Sequence, residues 1–277
     1  MRRNIISDTQ SITPELFSEL LGVKSKDLPE SCINFIGQNN FSYTNVTEND
    51  KENLYLEVLK KINSNKFTIS NEKRVGQWND GWQQNLNDLI ASGNLGALDP
   101  KYYRGSDYFR LKKSYIKSEN RQMDYAFFKV LRLWIFHEYV KKYSHIYEFG
   151  CGPSHNLIAL GDIYPEKMLF GYDWAKSSIE IIRLLREEYG YNINGSVFDF
   201  FNPDYKININ DNSLLITIGG IEQIGSKYNN FLNFILEKKP KTVIHIEPII
   251  EFYDENSLID NMAILYHKKR NRIIFWI

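Results

Sequence analysis

The chain has 277 residues, 43% of them hydrophobic and 25% charged, a composition typical of a globular protein that buries a substantial core. Its 34 Lys and Arg residues balance its 34 Asp and Glu residues, which argues against a nucleic-acid partner or a polybasic membrane patch. No apolar run is long enough for a membrane span, no signal peptide follows the basic start, and the distant Cys32 and Cys151 do not suggest disulfides, so we expect a cytoplasmic protein.

Residues 1–120 are predicted to form a mostly helical accessory region. Ser11–Val23 and Thr47–Asn63 combine a Ser or Thr cap with apolar residues at helical spacing, and a third helix is expected from Trp82 to Gly93. The next segment is rich in Tyr and Arg. It is either an ordinary packing arm or a lid over a substrate that would carry Tyr103, Arg104, Tyr108 and Arg110.

Residues 121–277 are predicted to form the second domain, which opens with a strongly periodic helix over Met123–Tyr143. Apolar Ile146–Phe149 then predicts a strand that ends in GCGPS, a tight turn, before HNLIAL opens a helix. Glycines without Cβ atoms let a ligand approach the backbone of such a turn, and the free N–H groups of the helix start point towards it. The turn is therefore a candidate nucleotide site, and a glycine-rich turn without a ligand is the alternative.

The spacing around this turn discriminates between nucleotides. A dinucleotide fingerprint needs a third glycine where His155 stands, which disfavours an NAD-dependent oxidoreductase. Glu148 precedes Gly150 and Gly152 in the pattern Glu-x-Gly-x-Gly. This pattern resembles motif I of the class I S-adenosylmethionine-dependent methyltransferases, with Ser154 in the place of the third glycine.

Strands and helices alternate after this motif, with the rhythm of a parallel sheet. Helices are expected over Ser177–Tyr189 and Tyr228–Lys238. The further predicted strands are Met168–Tyr172, Ile193–Phe198, Ser213–Ile218 and Thr242–Ile246. We expect an α/β fold, a Rossmann-like methyltransferase sheet with helices on both faces and with Met123–Tyr143 packed on it.

The resemblance implies roles for residues at the strand ends. Asp173 would bind the ribose of S-adenosylmethionine and Trp174 would pack on the adenine. Asp199 would receive the adenine amino group and Phe200 would stack on the ring, while Gly219 would line the cofactor edge. The alternative role for each acid taken separately is a helix cap.

Candidates for removing a proton from a methyl acceptor lie at the ends of the fourth and fifth strands. Glu222 follows the fourth strand, and His245 and Glu247 lie two apart on one face of the fifth. Glu222 and Glu247 are equally open to structural pairing, and mid-strand His245 is favoured as a core histidine. His155 is either a cofactor neighbour or a cap neighbour, and no ligand spacing indicates a metal site.

The pattern departs from the family after the fifth strand. A complete class I domain adds two more strands, whereas Asn256–Lys268 predicts a helix and the final RIIFWI supplies one strand at most. We expect a shortened C-terminal part, either as a natural variant or as a fragment, with an exposed edge that would pair with a second chain as a homodimer.

The chain is therefore identified as a methyltransferase that uses S-adenosylmethionine. A small-molecule or saccharide acceptor is expected, and the general appearance resembles sugar O-methyltransferases. The alternative is a cofactor-binding, catalytically weak partner or scaffold of the same fold.

Overall fold

The computed structural model describes residues 9–64, 66–103 and 105–272. The helices of these residues are α1 (Pro14–Leu21), α2 (Glu30–Gln38), α3 (Glu48–Asn63), α4 (Val75–Ser92), α5 (Met123–Ile135), α6 (His155–Ile163), α7 (Lys176–Glu187), α8 (Asn229–Lys238) and α9 (Leu258–Lys269). The strands are β1 (Gln10–Ser11), β2 (Ser42–Asn45), β3 (Tyr108–Leu111), β4 (Ser114–Ser118), β5 (His145–Phe149), β6 (Met168–Asp173), β7 (Ile193–Val197), β8 (Ser213–Ile218) and β9 (Thr242–Ile246).

The chain forms two compact units. One comprises Met1–Asn63 and Tyr102–Tyr139, and the other comprises Ser64–Lys101 and Val140–Ile277. The predicted boundary at residue 120 differs from this division, because α4 packs against α7 whereas the β3–β4 hairpin pairs with β2. The helix at residues 75–92 thus belongs with the parallel sheet, although it lies in the part of the chain predicted to be accessory.

The first unit contains an antiparallel sheet with the strand order β1-β2-β4-β3. Sequence reasoning predicted a mostly helical region and missed this sheet, because its strands are only two to five residues long and show no clear alternation. The predicted helices are present: Thr13 caps α1 by accepting a hydrogen bond from the Leu16 N–H at 3.4 Å, and Gly22 ends it at φ 70°.

Helix α5 contributes to the core of the first unit. Val130 is fully buried there together with Phe17 and Phe41, and α5 packs against α2. Part of its apolar stripe is therefore covered within the first unit, and the predicted packing of this helix on the parallel sheet stays a prediction. It is also shorter than predicted, since Phe136–Val140 forms a π-helical turn.

The second unit is built on a five-stranded parallel sheet with the order β7-β6-β5-β8-β9. All five predicted strands are confirmed to within one residue at each end. The strand order reverses between β5 and β8, which lie side by side. Ligands of open α/β sheets bind at such a reversal, outside the carboxyl ends of the strands. The α/β fold class is confirmed.

Aromatic side chains fill the core beside β5. Phe149 is fully buried, and its ring stacks on Tyr172 with centroids 4.7 Å apart and meets Phe198 edge-on at 4.7 Å. Such ring pairs add about 0.5–1.5 kcal/mol each beyond burial. This packing fixes the carboxyl ends of β5, β6 and β7 relative to one another.

In the part of the chain described here, no helix combines the length and the apolar character that crossing a bilayer requires. Helix α9 follows the sheet, as predicted. The single strand predicted from RIIFWI covers residues 272–277, and all of these except Arg272 lie outside the described residues.

Candidate functional site

The ends of β5 and β8 meet through two glycines. Gly150 has φ 76°, and its N–H donates to the Tyr172 carbonyl oxygen at 2.7 Å. A Cβ atom on Gly150 would lie 3.1 Å from the Cα of Gly220. The predicted Gly219 has φ 65° and open space where a side chain would be. Glycine backbone therefore lines the point between β5 and β8 where the strand order reverses, and no side chain covers the surface at Gly219.

Glu148 is directed at the start of α6. Its side chain is fully buried, and its Oε1 accepts a hydrogen bond from Asn156 Nδ2 at 2.6 Å. Ser154 adopts φ 63°, the left-handed conformation that the third glycine of the motif would favour, and it is fully buried. His155 begins α6 and is half-buried. The motif residues thus converge on one turn, as the sequence predicted.

Asp173 links the glycine turn to α7. Its Oδ2 accepts the Gly152 N–H and its Oδ1 accepts the Ala175 N–H, both at 2.8 Å, and the side chain is 4% exposed. Burial raises the pKa of Asp173 to about 6, and the two backbone donors offset this only in part. The capping alternative is therefore present in the structure, while each carboxylate oxygen retains acceptor capacity for a ligand hydroxyl.

The shifted pKa of Asp173 predicts a pH dependence of stability. The folded protein binds this proton more tightly than the unfolded chain, whose pKa is the ordinary 3.8, so wild type should lose stability relative to Asp173→Asn as pH rises from about 4 to about 6. The full change should reach about 3 kcal/mol, and above this range the difference should be constant.

Urea unfolding of both proteins across this pH range measures the difference directly. The comparison removes the opposing effect of His267, whose pKa burial lowers to about 4, because that histidine is common to both proteins. If the difference in unfolding free energy does not change with pH, or if rising pH favours wild type, then burial does not raise the pKa of Asp173.

Asp199 and two aromatic rings lie after β6 and β7. Asp199 Oδ1 accepts the Phe201 N–H at 2.8 Å and its Oδ2 accepts Asn202 Nδ2 at 2.9 Å. Half-buried Trp174 faces Phe201, with ring centroids 6.1 Å apart and planes 25° apart. Asp199, Phe201 and Asn202 line a cavity of about 470 Å³. An acid, an amide and partly exposed rings suit a flat heterocycle with an amino group.

Phe200, predicted to stack on a ligand ring, lies instead in the core. It is 3% exposed, and its ring centroid is 4.6 Å from that of Phe231. Phe200 and Phe201 lie in a turn after β7, and burial alternates along residues 198–201, so the two adjacent phenylalanines face opposite ways. The structure gives that position to Phe201, and alternation from buried Phe198 was the signal that could have found it.

Helix α4 covers the glycine turn. A Cβ atom on Gly152 would lie 3.1 Å from Trp82 Cζ2, and Trp82 stacks on Trp78 with centroids 5.1 Å apart. The helix is also tied to α7, because Ser177 Oγ donates to the Asn79 carbonyl oxygen at 2.9 Å. Sequence reasoning missed this wall of the site, since no local pattern relates α4 to a turn so far along the chain.

Glu247 anchors the loop after β8. Its Oε1 accepts the N–H groups of Gly220 and Ile221 at 3.0 Å, and its Oε2 accepts that of Glu222 at 3.2 Å. Burial raises the pKa of Glu247 to about 7 in spite of these donors. Three backbone donors hold the carboxyl group at the ligand edge, in a protonation range where it can exchange a proton near neutral pH.

Glu222 and His245 differ in their surroundings. Glu222 pairs with Arg272, Oε2 to Nη1 at 3.2 Å, and accepts Gln223 Nε2 at 2.6 Å. His245 Nδ1 lies 2.8 Å from Thr217 Oγ1. The predicted core position of His245 is wrong, because β9 is the edge strand among the described residues and leaves this side chain exposed.

The residues of the predicted lid belong to the first unit. Tyr108 and Arg110 lie on β3, and the Tyr103 ring lies 4.7 Å from that of Tyr125. Such packing is what an ordinary packing arm predicts, and the lid over an acceptor stays a prediction. Arg104 lies outside the described residues.

Three solved structures are similar to this chain at low identity. The plantazolicin methyltransferase BpumL, in complex with a monoazolic desmethylPZN analog and SAH, is 12% identical, with a TM-score of 0.36 over 52% of this chain and 55% of that protein. The cyclase SpnF is 15% identical, with a TM-score of 0.40 over 62% and 58%. PKMT2 from Rickettsia typhi, in complex with AdoHcy, is 19% identical, with a TM-score of 0.31 over 36% and 19%.

Each of these matches spans less than two thirds of the solved protein's own length. Identities of 19% or less and TM-scores of 0.40 or less assign no function to this chain. No protein-family model and no curated protein sequence matches it.

Proposed function

We propose that the protein is an S-adenosylmethionine-dependent methyltransferase that acts on a small-molecule or saccharide acceptor. The observation that carries the proposal is the position of three acids on adjacent strands: Glu148 is the penultimate residue of β5, Asp173 ends β6, and Asp199 follows β7 by two residues. They surround a two-glycine turn at the point where the strand order reverses. This is the edge at which open α/β sheets bind ligands.

The residues at this edge suit the cofactor. A cavity of about 470 Å³, lined by Asp199, Phe201 and Asn202, lies where the adenine would bind, and the residues of the glycine turn do not line it. Trp174 and Phe201 would hold the adenine, Asp173 the ribose, and Glu148 with Asn156 the ammonium end. Bound there, S-adenosylmethionine would supply a methyl group already activated by its sulfonium.

The chain's own contribution is alignment of the acceptor and removal of its proton. Glu247 is the group we assign to the proton, because its pKa of about 7 lies near neutral pH and its three backbone donors fix its orientation. His245, held by Thr217, is the second candidate. Glu222 is assigned a structural role, because Arg272 and Gln223 already engage its carboxylate.

Calorimetric titration with S-adenosylmethionine and S-adenosylhomocysteine tests the cofactor site. Asp199→Asn should weaken binding at least tenfold, since the amide would present a donor to the adenine amino group. Asp204→Asn is the matched control: Asp204 Oδ1 accepts the N–H two residues on at 2.9 Å, just as Asp199 does, but Asp204 does not line the cavity. NAD serves as the control ligand.

The outcomes separate the alternatives. The cofactor site is supported if the wild-type protein binds these ligands saturably, if Asp199→Asn weakens the binding, and if Asp204→Asn does not. A folded wild-type chain that binds neither ligand would overturn the proposal. An acceptor screen that begins with sugars tests methyl transfer. If the protein binds the cofactor but methylates no acceptor, it is the catalytically weak partner or scaffold.

A further inference from the structure

We propose that Arg74, Arg270 and Arg272 form an oxyanion-binding site, and that the acceptor of the methyl transfer carries a carboxylate or phosphate group that binds there; the second statement rests on the proposed function. Arg74 immediately precedes α4 and its residue is only 7% exposed. Its Nη1 donates to Gln223 Oε1, and its Nε donates to Gln77 Oε1 at 3.3 Å. Its guanidinium therefore faces the turn that follows β8.

Two further arginines follow α9: Arg272 contacts the same turn, and Arg270 is close enough for its charge to act on Arg74 and Glu222. Arg272 Nη1 pairs with Glu222 Oε2 at 3.2 Å, and Glu222 neighbours Gln223. Arg270 Nη1 donates to Tyr266 Oη at 2.8 Å, and its guanidinium carbon lies 5.3 Å from the centroid of the Tyr266 ring. These contacts hold the three arginines in place, and Glu222 supplies the carboxylate that pairs with Arg272.

The cluster carries more positive than negative charge. Burial and the charges of Arg272 and Arg270 lower the pKa of Arg74 to about 10. Three guanidiniums outnumber the carboxyl groups of Glu222 and Glu247, and backbone N–H groups already engage the carboxyl of Glu247. Glu72, two residues before Arg74, is paired instead with Lys227 at 3.1 Å. Like charges buried together are unfavourable unless an anion accompanies them.

One donor of the cluster is left over. Arg272 Nε is buried and has no hydrogen-bond partner among the described residues. A planar guanidinium with a spare N–H offers the paired donors that carboxylate and phosphate oxygens accept. Excess positive charge and an unused buried donor at one place point to an oxyanion rather than to a neutral ligand.

Aromatic packing places this cluster beside the proposed cofactor site. The Arg74 guanidinium lies 4.8 Å from the Trp78 ring centroid, Trp78 stacks on Trp82, and Trp82 packs on Gly152. The eight residues from Arg74 to Trp82 correspond to about 12 Å along a helix. An acceptor anchored by its anionic group at the arginines can therefore extend along α4 towards the glycine turn.

The test measures thermal unfolding of the full chain with inorganic phosphate and, separately, with acetate, at constant ionic strength. Either anion should raise the midpoint in wild type, and the anion with the larger shift identifies the group that the site prefers. Arg270→Gln should abolish the shift without lowering the midpoint in buffer, because it removes one of three repelling charges. Loss of a merely structural arginine would lower that midpoint instead.

Arg183→Gln is the matched control, because Arg183 lies on α7 and is paired with Glu180 and Glu187. It should retain the full anion shift. No shift in wild type, or equal shifts in wild type, Arg270→Gln and Arg183→Gln, would overturn the anion site. S-adenosylmethionine titration of the same proteins separates the two proposals: loss of cofactor binding alone refutes the methyltransferase, and loss of the anion shift alone refutes the site.

Discussion

Replacing Gly150 with alanine is expected to cost about 3 kcal/mol of folding free energy and to abolish S-adenosylmethionine binding. Gly150 has φ 76°, and a left-handed conformation costs an L-residue about 1–2 kcal/mol. The new methyl group would also lie 3.1 Å from the Cα of Gly220, and crowding of this kind costs about 1–3 kcal/mol. Because the close atom is backbone, relief requires moving the end of β8. Urea unfolding and calorimetric titration measure the two effects.

Gly81→Ala is the matched control for Gly150→Ala. Gly81 lies within α4 and nothing lies within 4 Å of the position its Cβ would take. The substitution should leave stability unchanged or raise it by about 0.5–1 kcal/mol, because alanine favours the helix. If Gly150→Ala proved as stable as Gly81→Ala and still bound the cofactor, the close approach of β5 and β8 would not require a glycine at position 150.

Replacing Trp82 with alanine is expected to destabilise the protein by about 3–5 kcal/mol, the usual cost of truncating a buried tryptophan. Trp82 is 7% exposed and packs between Trp78 and Gly152. Its loss would remove the wall over the glycine turn, so cofactor affinity should fall together with stability. Unfolding in urea gives the first effect, and titration below the unfolding transition gives the second.

Ile90→Ala provides the comparison on the same helix. Ile90 is 66% exposed, so its truncation should change stability by no more than about 0.5 kcal/mol and leave binding unaltered. Trp82→Phe, which keeps an aromatic ring against Gly152, should recover part of both losses. A Trp82→Ala protein with wild-type stability and affinity would mean that α4 does not support the turn.

The strand ends of the second unit were predictable because their signals are local. Strand β5, its acid and its glycines are adjacent in sequence, and the parallel register carries Glu148, Asp173 and Asp199 to one edge. Ser154 was placed at the motif's third glycine, but its left-handed φ of 63° was found only in the structure. Phe200 was predicted to stack on the ligand ring, but it is buried together with Phe198, and Phe201 is the phenylalanine that faces outwards.

Other parts depended on contacts between distant segments. The antiparallel sheet of the first unit joins β2 to the β3–β4 hairpin, and strands this short carry no decisive pattern. Whether Glu222 is structural or catalytic could likewise not be predicted from its neighbours in sequence, because its ion-pair partner Arg272 lies fifty residues later in the chain (272 − 222).

Hydrophobic periodicity and glycine spacing act over a few residues, so they were enough to predict the parallel α/β sheet and the ends of its strands that face the ligand. The side chains that surround that edge could not be predicted in this way. Trp82 lies over the glycine turn, and Arg74, Arg270 and Arg272 surround Glu222. Those neighbours come from segments far apart in the chain. Their meeting depends on packing and burial of the whole unit, which no local pattern encodes.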